Sequence, residues 1–373
     1  MTNDTEIIVE ITDYSSEGDG VARLPDGRVV FVELGARNDI CRIKLTKDSK
    51  SFCRAKIEEI IEPSIHRIKP DCPVFGKCGG CDFRHITREE ELFAKRKRVN
   101  ETLKRIGGFD IESEDILAVN DDGYRNKITL SVIRRKERVI AGYRRKLSHD
   151  IIDISRCNLA ETGISKRIAS EKAKIKNYKT VPENVVIRNN EVTMNGFTFK
   201  FSNKSFFQVN TKAAAALYSK VREFAALSHS DTLLDLYCGA GTIALYLARD
   251  AAHVYGVDIE PAAITDATNN AAINSITNAH FICGDAALFD TSFDIQPTCI
   301  VVDPPRGGLN ADTIARLTTL NPQRIVYVSC DPASLARDAK LLTAYTPTRL
   351  CAVDMFPRTA HVETVALLRR NNT

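Results

Sequence analysis

The sequence predicts an α/β protein in which a doubly wound, mostly parallel sheet follows two smaller, mostly β units. Three observations carry this. From about Phe201 onward, apolar strand-like runs alternate with helix-like stretches, as successive βα units do. The first of those runs turns directly into a glycine loop, "LLDLYCGAGTIAL". Residues 1 to 62 instead break into short β-branched runs separated by "SSEGDG", "PDG" and "GARND".

The elements follow in order. "EIIVEI", "GVARL", "RVVFVEL", "DICRIKLTK" and "CRAKIEEII" fit a small barrel of the OB type, an architecture that often carries nucleic acid. After Pro63 come clustered cysteines and then "ITREEELFAKRKRVNETLKRIGG". Thr87 with Glu90 makes a capping box there, and Gly107-Gly108 supply a stop. Leu92, Val99, Leu103 and Ile106 share one face, which predicts an amphipathic helix with its basic side outward. From about 124 to 202 runs such as "KITLSVI", "RVIAGY", "NVVIR" and "EVTMNGFTFKF" predict a second, mostly β unit. The strands of the last part are "TLLDLY", "HVYGVDI", "AHFICGD", "CIVVDPP", "RIVYVSC", "RLCAVDMF" and "VETVALLRR". The expected division is therefore 1–62, 63–200 and 201–373.

Composition narrows the function. With 373 residues and 43% hydrophobic content, the chain can bury more than one core. No run approaches membrane-spanning length and "MTNDTEIIVE" has no signal core, so a cytoplasmic protein is expected. Eleven cysteines in such a chain argue for metal or catalytic roles over a disulfide framework. The net charge is only +4, but the basic residues are bunched in "AKRKR", "RRKER" and "YRRK", between residues 94 and 146. Solvated faces produce such runs; three of them close together point to a polyanion, and RNA fits best.

Ligands of a doubly wound sheet sit at the carboxyl ends of its strands. There Gly239-Ala240-Gly241 follows the first strand, and Asp258 ends the next. A dinucleotide is one reading, with glycines against a pyrophosphate and an acid on a ribose. Asp235 inside the first strand's end would repel a diphosphate and suits a cationic ligand, so S-adenosylmethionine is the better reading. "VVDPPRGG" ends the fourth strand; two prolines stiffen the turn that carries Asp303, as in enzymes that grip a planar base. Cys330 ends the next strand, and Glu363 opens the last one in "MFPRTAHVETVALL". Carbon 5 of uracil is a poor nucleophile until a thiolate adds at C6, after which a base must remove the C5 proton. Cys330 and Glu363 are the pair available for those steps. Cys41, Cys53, Cys238, Cys283, Cys299 and Cys351 are expected to be small buried hydrophobes.

Together "SFFQVN", "DLYCGAG", "VVDPPRGG", "YVSCDPASLARD" and "FPRTAHVETVALL" resemble the RNA uracil-5-methyltransferase family, whose members make 5-methyluridine in ribosomal and transfer RNA. "EGDGVARLPDGRVVFVELGARNDICRIKLTK" resembles its TRAM domain, a small RNA-binding barrel. The resemblance implies a Rossmann-like class I methyltransferase domain using S-adenosylmethionine, with Cys330 as nucleophile and Glu363 as proton acceptor. Gln208, Tyr237, Asp258, Asp285 and Asp303 are then the contacts to cofactor or target base. Asp258 stands where relatives often have Glu, and Thr242 where some have Asn. For Cys72, Cys78 and Cys81 in "DCPVFGKCGGC", spacing alone leaves zinc or iron-sulfur open. The resemblance implies a 4Fe-4S cluster, with Cys157 of "DISRCNLA" as fourth ligand. It further implies a flipped uridine in folded RNA, with 23S ribosomal RNA favoured over transfer RNA. A nicotinamide-dependent dehydrogenase, a purine N-methyltransferase and a noncatalytic RNA-binding assembly factor are the competing expectations.

Overall fold

The computed structural model describes residues 7–136, 138–146, 148–178, 180–202, 205–287 and 296–371. Its first unit is a six-stranded sheet ordered β1-β5-β6-β4-β3-β2. The strands are β1 (Ile7–Glu10), β2 (Asp13–Tyr14), β3 (Gly20–Arg23), β4 (Val29–Glu33), β5 (Ile40–Asp48) and β6 (Phe52–Glu62). Alternation does the folding: Val30, Val32, Cys41, Ile43, Cys53 and Ala55 point into one core, while their neighbours Phe31, Arg42 and Arg54 point out. The two-residue β2 is too short to register as a hydrophobic run.

Helix α1 (Arg88–Thr102) starts at Thr87, whose hydroxyl accepts the Glu90 N–H, as the capping box predicts. It ends in a π-helical turn, Leu103–Gly107, closed by Gly108 at φ 77°. The wider turn carries Ile106 off the buried face, and it is 43% exposed. The basic side faces outward only in part: Lys104 and Arg105 are exposed, but the residues before them turn inward. Lys95 is 1% exposed, with its ammonium 2.7 Å from Glu91 and 2.5 Å from Asp354. Lys97 pairs with Asp13 of the first unit at 2.7 Å, and Arg98 donates to the Ser16 and Ala360 carbonyls. Arg37, between β4 and β5, grips Glu90 through two 2.7 Å bonds. The run "AKRKR" is thus a set of internal bolts joining the first unit to the last.

A four-stranded antiparallel sheet, ordered β10-β9-β8-β11, follows. It contains β8 (Lys127–Arg135), β9 (Arg138–Arg144), β10 (Ile151–Asp153) and β11 (Asn184–Arg188), and its inner face packs on helix α2 (Thr162–Lys176) through Ile128, Leu130, Ile164, Ile168 and Ile187. Here the expected exposure holds: Arg134, Arg135 and Arg138 are exposed, as are Arg144 and Arg145. The hairpin β12 (Glu191–Met194) and β13 (Phe197–Lys200) leads into the last unit.

That unit is an eight-stranded sheet ordered β16-β15-β14-β17-β18-β20-β19-β7. Its strands are β14 (Thr232–Leu236), β15 (His253–Asp258), β16 (Ala279–Cys283), β17 (Cys299–Val302), β18 (Arg324–Ser329), β19 (Tyr345–Val353) and β20 (Glu363–Arg370), with β7 (Glu114–Leu117) added at one edge. β20 runs antiparallel between β18 and β19. Helices α3 (Thr211–Ala225), α4 (Thr242–Leu247), α5 (Pro261–Ile273), α6 (Ala311–Leu320) and α7 (Pro332–Leu341) cover it. Val301, Val326, Val328 and Val365 face one core and Ile300, Val302, Ile325 and Tyr327 the other, so both faces are buried, as near-continuous apolar strands require. Of the cysteines expected in the core, Cys41, Cys53, Cys238, Cys299 and Cys351 are buried, but Cys283 is exposed, because it ends the outermost strand β16.

Candidate active site

The order β15-β14-β17 reverses the direction of winding between β14 and β17, and a cleft opens there. After β14 the chain turns sharply: Tyr237, Gly239 and Gly241 have φ of 64°, 54° and 75°. Gly239 has nothing within 4 Å of where a Cβ would stand, so that side of the loop is free for a ligand. Gln208, Tyr237 and Asp303 line one cavity with Phe206, Tyr218, Asp235 and Thr242. Asp258 and Asp285 lie outside its lining. Asp258 joins it through Gly239, whose N–H donates to Asp258 Oδ2 at 2.8 Å, and Asp285 sits near the Tyr237 hydroxyl.

Each cavity residue is held from behind. Phe207 stacks on Phe201 with ring centroids 4.2 Å apart, and the Gln208 carbonyl accepts from Asn126 Nδ2 at 3.0 Å. Tyr218 and Thr242 share a hydrogen bond of 2.9 Å. Phe206, by contrast, is 67% exposed at the mouth. Asp235 accepts the Ala244 N–H at 3.0 Å through one oxygen, while its Oδ1 is buried without a partner. Burial, then the Asp303 carboxylate, pushes Asp235 well above the usual carboxylate range. Burial alone pushes Asp303 up to about 7. Such buried carboxylates are costly to ionise on their own and favour a cation beside them. Asp235 was legible as a residue suited to a cationic ligand; Tyr218 and Phe206 carried no local signal of their own.

Cys330 and Glu363 lie beyond Asp303. The Pro304-Pro305 turn is anchored by α7: Asp338 accepts both the Leu309 N–H and the Tyr327 hydroxyl at 2.7 Å. Cys330 follows the last residue of β18, Asp331 caps α7, and Pro332 fills its first turn. Half-buried Cys330 is pushed up to about 11, first by burial and then by the charges of Glu363 and Asp303, against the Arg306 guanidinium. Glu363, 3% exposed, is pushed up to about 8 by burial and then by Asp303. A carboxyl poised near neutrality can take and return a proton.

The cysteines Cys72, Cys78, Cys81 and Cys157 line a second cavity, in the middle unit. Among the described residues, no three His, Cys, Asp or Glu side chains converge closely enough to hold a single metal ion. A 4Fe-4S cluster, if bound, would be held by four Cys thiolates, and these four line one cavity. The donors around the four thiols suit such an anionic group: Arg84 and Tyr143 line the cavity and bring buried N–H and O–H groups to Cys81 and Cys157. The residues present therefore fit a cluster.

Comparison with known proteins agrees with the fold and the cleft. Residues 170–371 match the tRNA (Uracil-5-)-methyltransferase family, and residues 2–57 match the TRAM domain. An RNA methyltransferase of Clostridium acetobutylicum is 33% identical, over 99% of this chain and 97% of its own length. Another from Staphylococcus aureus is 33% identical over 96% of both chains. The solved Pyrococcus abyssi tRNA (uracil-54, C5)-methyltransferase in complex with S-adenosyl-L-homocysteine superposes with a TM-score of 0.75 at 25% identity, covering 96% of this chain and 99% of that one. The last unit is accordingly a class I methyltransferase fold of the kind that uses S-adenosylmethionine, the first is a TRAM domain, and the substrate class is RNA. The chain belongs to the RNA uracil-5-methyltransferase family.

Proposed function

We propose that this protein methylates carbon 5 of a specific uridine in RNA, with 23S ribosomal RNA as the favoured substrate, through a covalent Cys330 adduct. The observation that carries the reading is the neighbourhood of Cys330, Glu363 and Asp303 beside a cleft suited to a cation. S-adenosylmethionine supplies the sulfonium methyl. Asp235, Gln208, Tyr237, Asp258 and Asp285 hold it, and Asp303 faces the target base. The Cys330 sulfur bonds to C6 of the flipped uracil, moving the C5–C6 electron pair onto C5 and O4. C5 then attacks the sulfonium methyl, the methyl–sulfur bond breaks with its electron pair left on sulfur, and S-adenosylhomocysteine is the leaving group. Glu363 removes the C5 proton, and the returning electron pair expels the Cys330 thiolate. Burial, then Glu363 and Asp303, raises Cys330, so it is a thiol at rest; its proton passes to solvent as the bond to C6 forms, and the expelled thiolate takes one back.

The cysteine cavity is read as a 4Fe-4S site with Cys72, Cys78, Cys81 and Cys157 as ligands, structural or RNA-positioning in role. When bound, the cluster would tie the segment around Cys72 to that around Cys157. The chain is divided in function as 1–62 for RNA docking, 63–200 for the cluster and further RNA contact, and 201–373 for methyl transfer, with α1 and β7 lent to the catalytic sheet. No helix among the described residues is long and apolar enough to cross a membrane, and a cytoplasmic site of action suits the substrate.

The test is transfer of labelled methyl from S-adenosylmethionine into separated, unmodified ribosomal and transfer RNA, followed by nucleoside analysis. 5-Methyluridine in large-subunit RNA is expected. Transfer RNA is the second reading, favoured by the Pyrococcus abyssi neighbour; label there alone would replace the substrate and keep the chemistry. A methylated purine would overturn both.

A further inference from the structure

Arg125 reaches the cysteine cavity from the segment between β7 and β8 and lines it with Cys78, Cys81 and Cys157. Its Nε lies 3.5 Å from the Tyr124 hydroxyl, and its guanidinium stands 5.8 Å from the Tyr124 ring centre. Among the described residues no carboxylate pairs with it. Arg84, on the same cavity and 3% exposed, differs: its terminal nitrogens bond Asp71 at 2.7 Å and Asp122, so its charge is answered while its Nε remains free. Tyr143, from β9, aims its buried hydroxyl at the Cys157 thiol, a weak acceptor. Among the described residues, one cation without a carboxylate and two buried donors whose nearest acceptors are neutral thiols surround the four cysteines. Leaving such groups unanswered away from water is costly, so the cavity is built around something negative that accepts hydrogen bonds.

We propose that Arg125 is the charge partner of an anionic metal-thiolate centre on Cys72, Cys78, Cys81 and Cys157, with Tyr143 and Arg84 Nε donating to its sulfurs. This rests on the iron-sulfur reading above. A 4Fe-4S core on four thiolates is a dianion, and a one-electron reductant makes it a trianion. A neighbouring cation and N–H or O–H donors stabilise the more negative state, so Arg125 and Tyr143 raise the reduction potential. Arg125 is thus a positioning and tuning residue; it touches neither substrate nor the transferred methyl.

The experiment is a dithionite titration of the full chain, purified without oxygen, followed by visible absorbance and electron paramagnetic resonance, after counting iron and sulfide. Wild type is expected to hold four irons. Arg125→Met is expected to keep them and to shift the midpoint to a more negative potential, and Tyr143→Phe to shift it less in the same direction. An unchanged midpoint in Arg125→Met overturns the proposal. If that variant fails to hold iron, Tyr143→Phe decides: a midpoint below wild type supports the proposal, and a wild-type midpoint overturns it. One zinc, or no metal, in the wild type would instead sink the iron-sulfur reading, and the metal count shows this before any potential is measured.

Discussion

Cys330 and Glu363 are opposed across the antiparallel pair β18–β20: the register ends at Ser329 against Thr364, and the next two residues are the thiol and the carboxyl. A thiol and a carboxyl are thereby set at a fixed separation by backbone pairing rather than by a loop. The two roles should separate on mutation. Cys330→Ala is expected to abolish both methyl transfer and the covalent complex with RNA containing 5-fluorouridine. Glu363→Gln should still form the adduct, with turnover reduced about 10²–10⁴-fold, so that protein-linked methylated RNA accumulates. Gel mobility of the denatured complex reads both.

The cleft's carboxyls predict a proton-linked cofactor. Burial pushes Asp303 to about 7 and Glu363 to about 8, and Asp235 well above the carboxylate range. A cation favours their ionised forms, so binding S-adenosylmethionine near pH 7 should release protons. Affinity should rise from pH 6 to pH 8 and then level off. Calorimetry in buffers of different ionisation enthalpy measures the release; equal enthalpies in all buffers would contradict it.

The same groups act on stability with the opposite sign. Between the ordinary carboxylate range and pH 8, folded Glu363 keeps a proton that the unfolded chain has lost. The folded state therefore binds more protons, and stability falls as pH rises through that window. Glu363→Gln removes this loss. At pH 9 the ligand-free variant should be more stable than wild type by about 1–2 kcal/mol, measured by urea unfolding, and the difference should vanish at pH 4.

Lys95 tests the internal bolts. It is buried between Glu91 and Asp354, and Arg88 also bonds Asp354. Lys95→Met leaves buried negative charge under-compensated and should cost about 3–5 kcal/mol. Adding Asp354→Leu should restore part of that, because the uncompensated partner goes too. Equilibrium unfolding of both variants checks it.

Strand ends and turns were readable because they are local. Asp-Pro-Pro, Cys-Asp-Pro and the glycine loop announce their own geometry, and from them the approach of Cys330 and Glu363 follows. What could not be read depends on distant partners. Nothing near "AKRKR" reveals that Lys95 meets a carboxylate 259 positions away, so a pattern that usually marks a solvated face marked an interior one. Glu114–Leu117 pairs with β19 through Cys351 and Val353, a parallel edge with no sequence signal. Cys283 reads as a core residue in the sequence because strand periodicity does not say which strand lies outermost.

The bolts through α1 also set a length. Lys97 fastens to Asp13, Arg98 to the Ser16 carbonyl, and Arg37 to Glu90, while the same helix is locked to Asp354 and packs Val99 and Leu103 beneath the catalytic sheet. The TRAM barrel is therefore the fixed jaw of a caliper whose other jaw is Cys330. An RNA gripped by the barrel can offer only a nucleotide lying that one span away, and shape alone would then choose among many identical uridines.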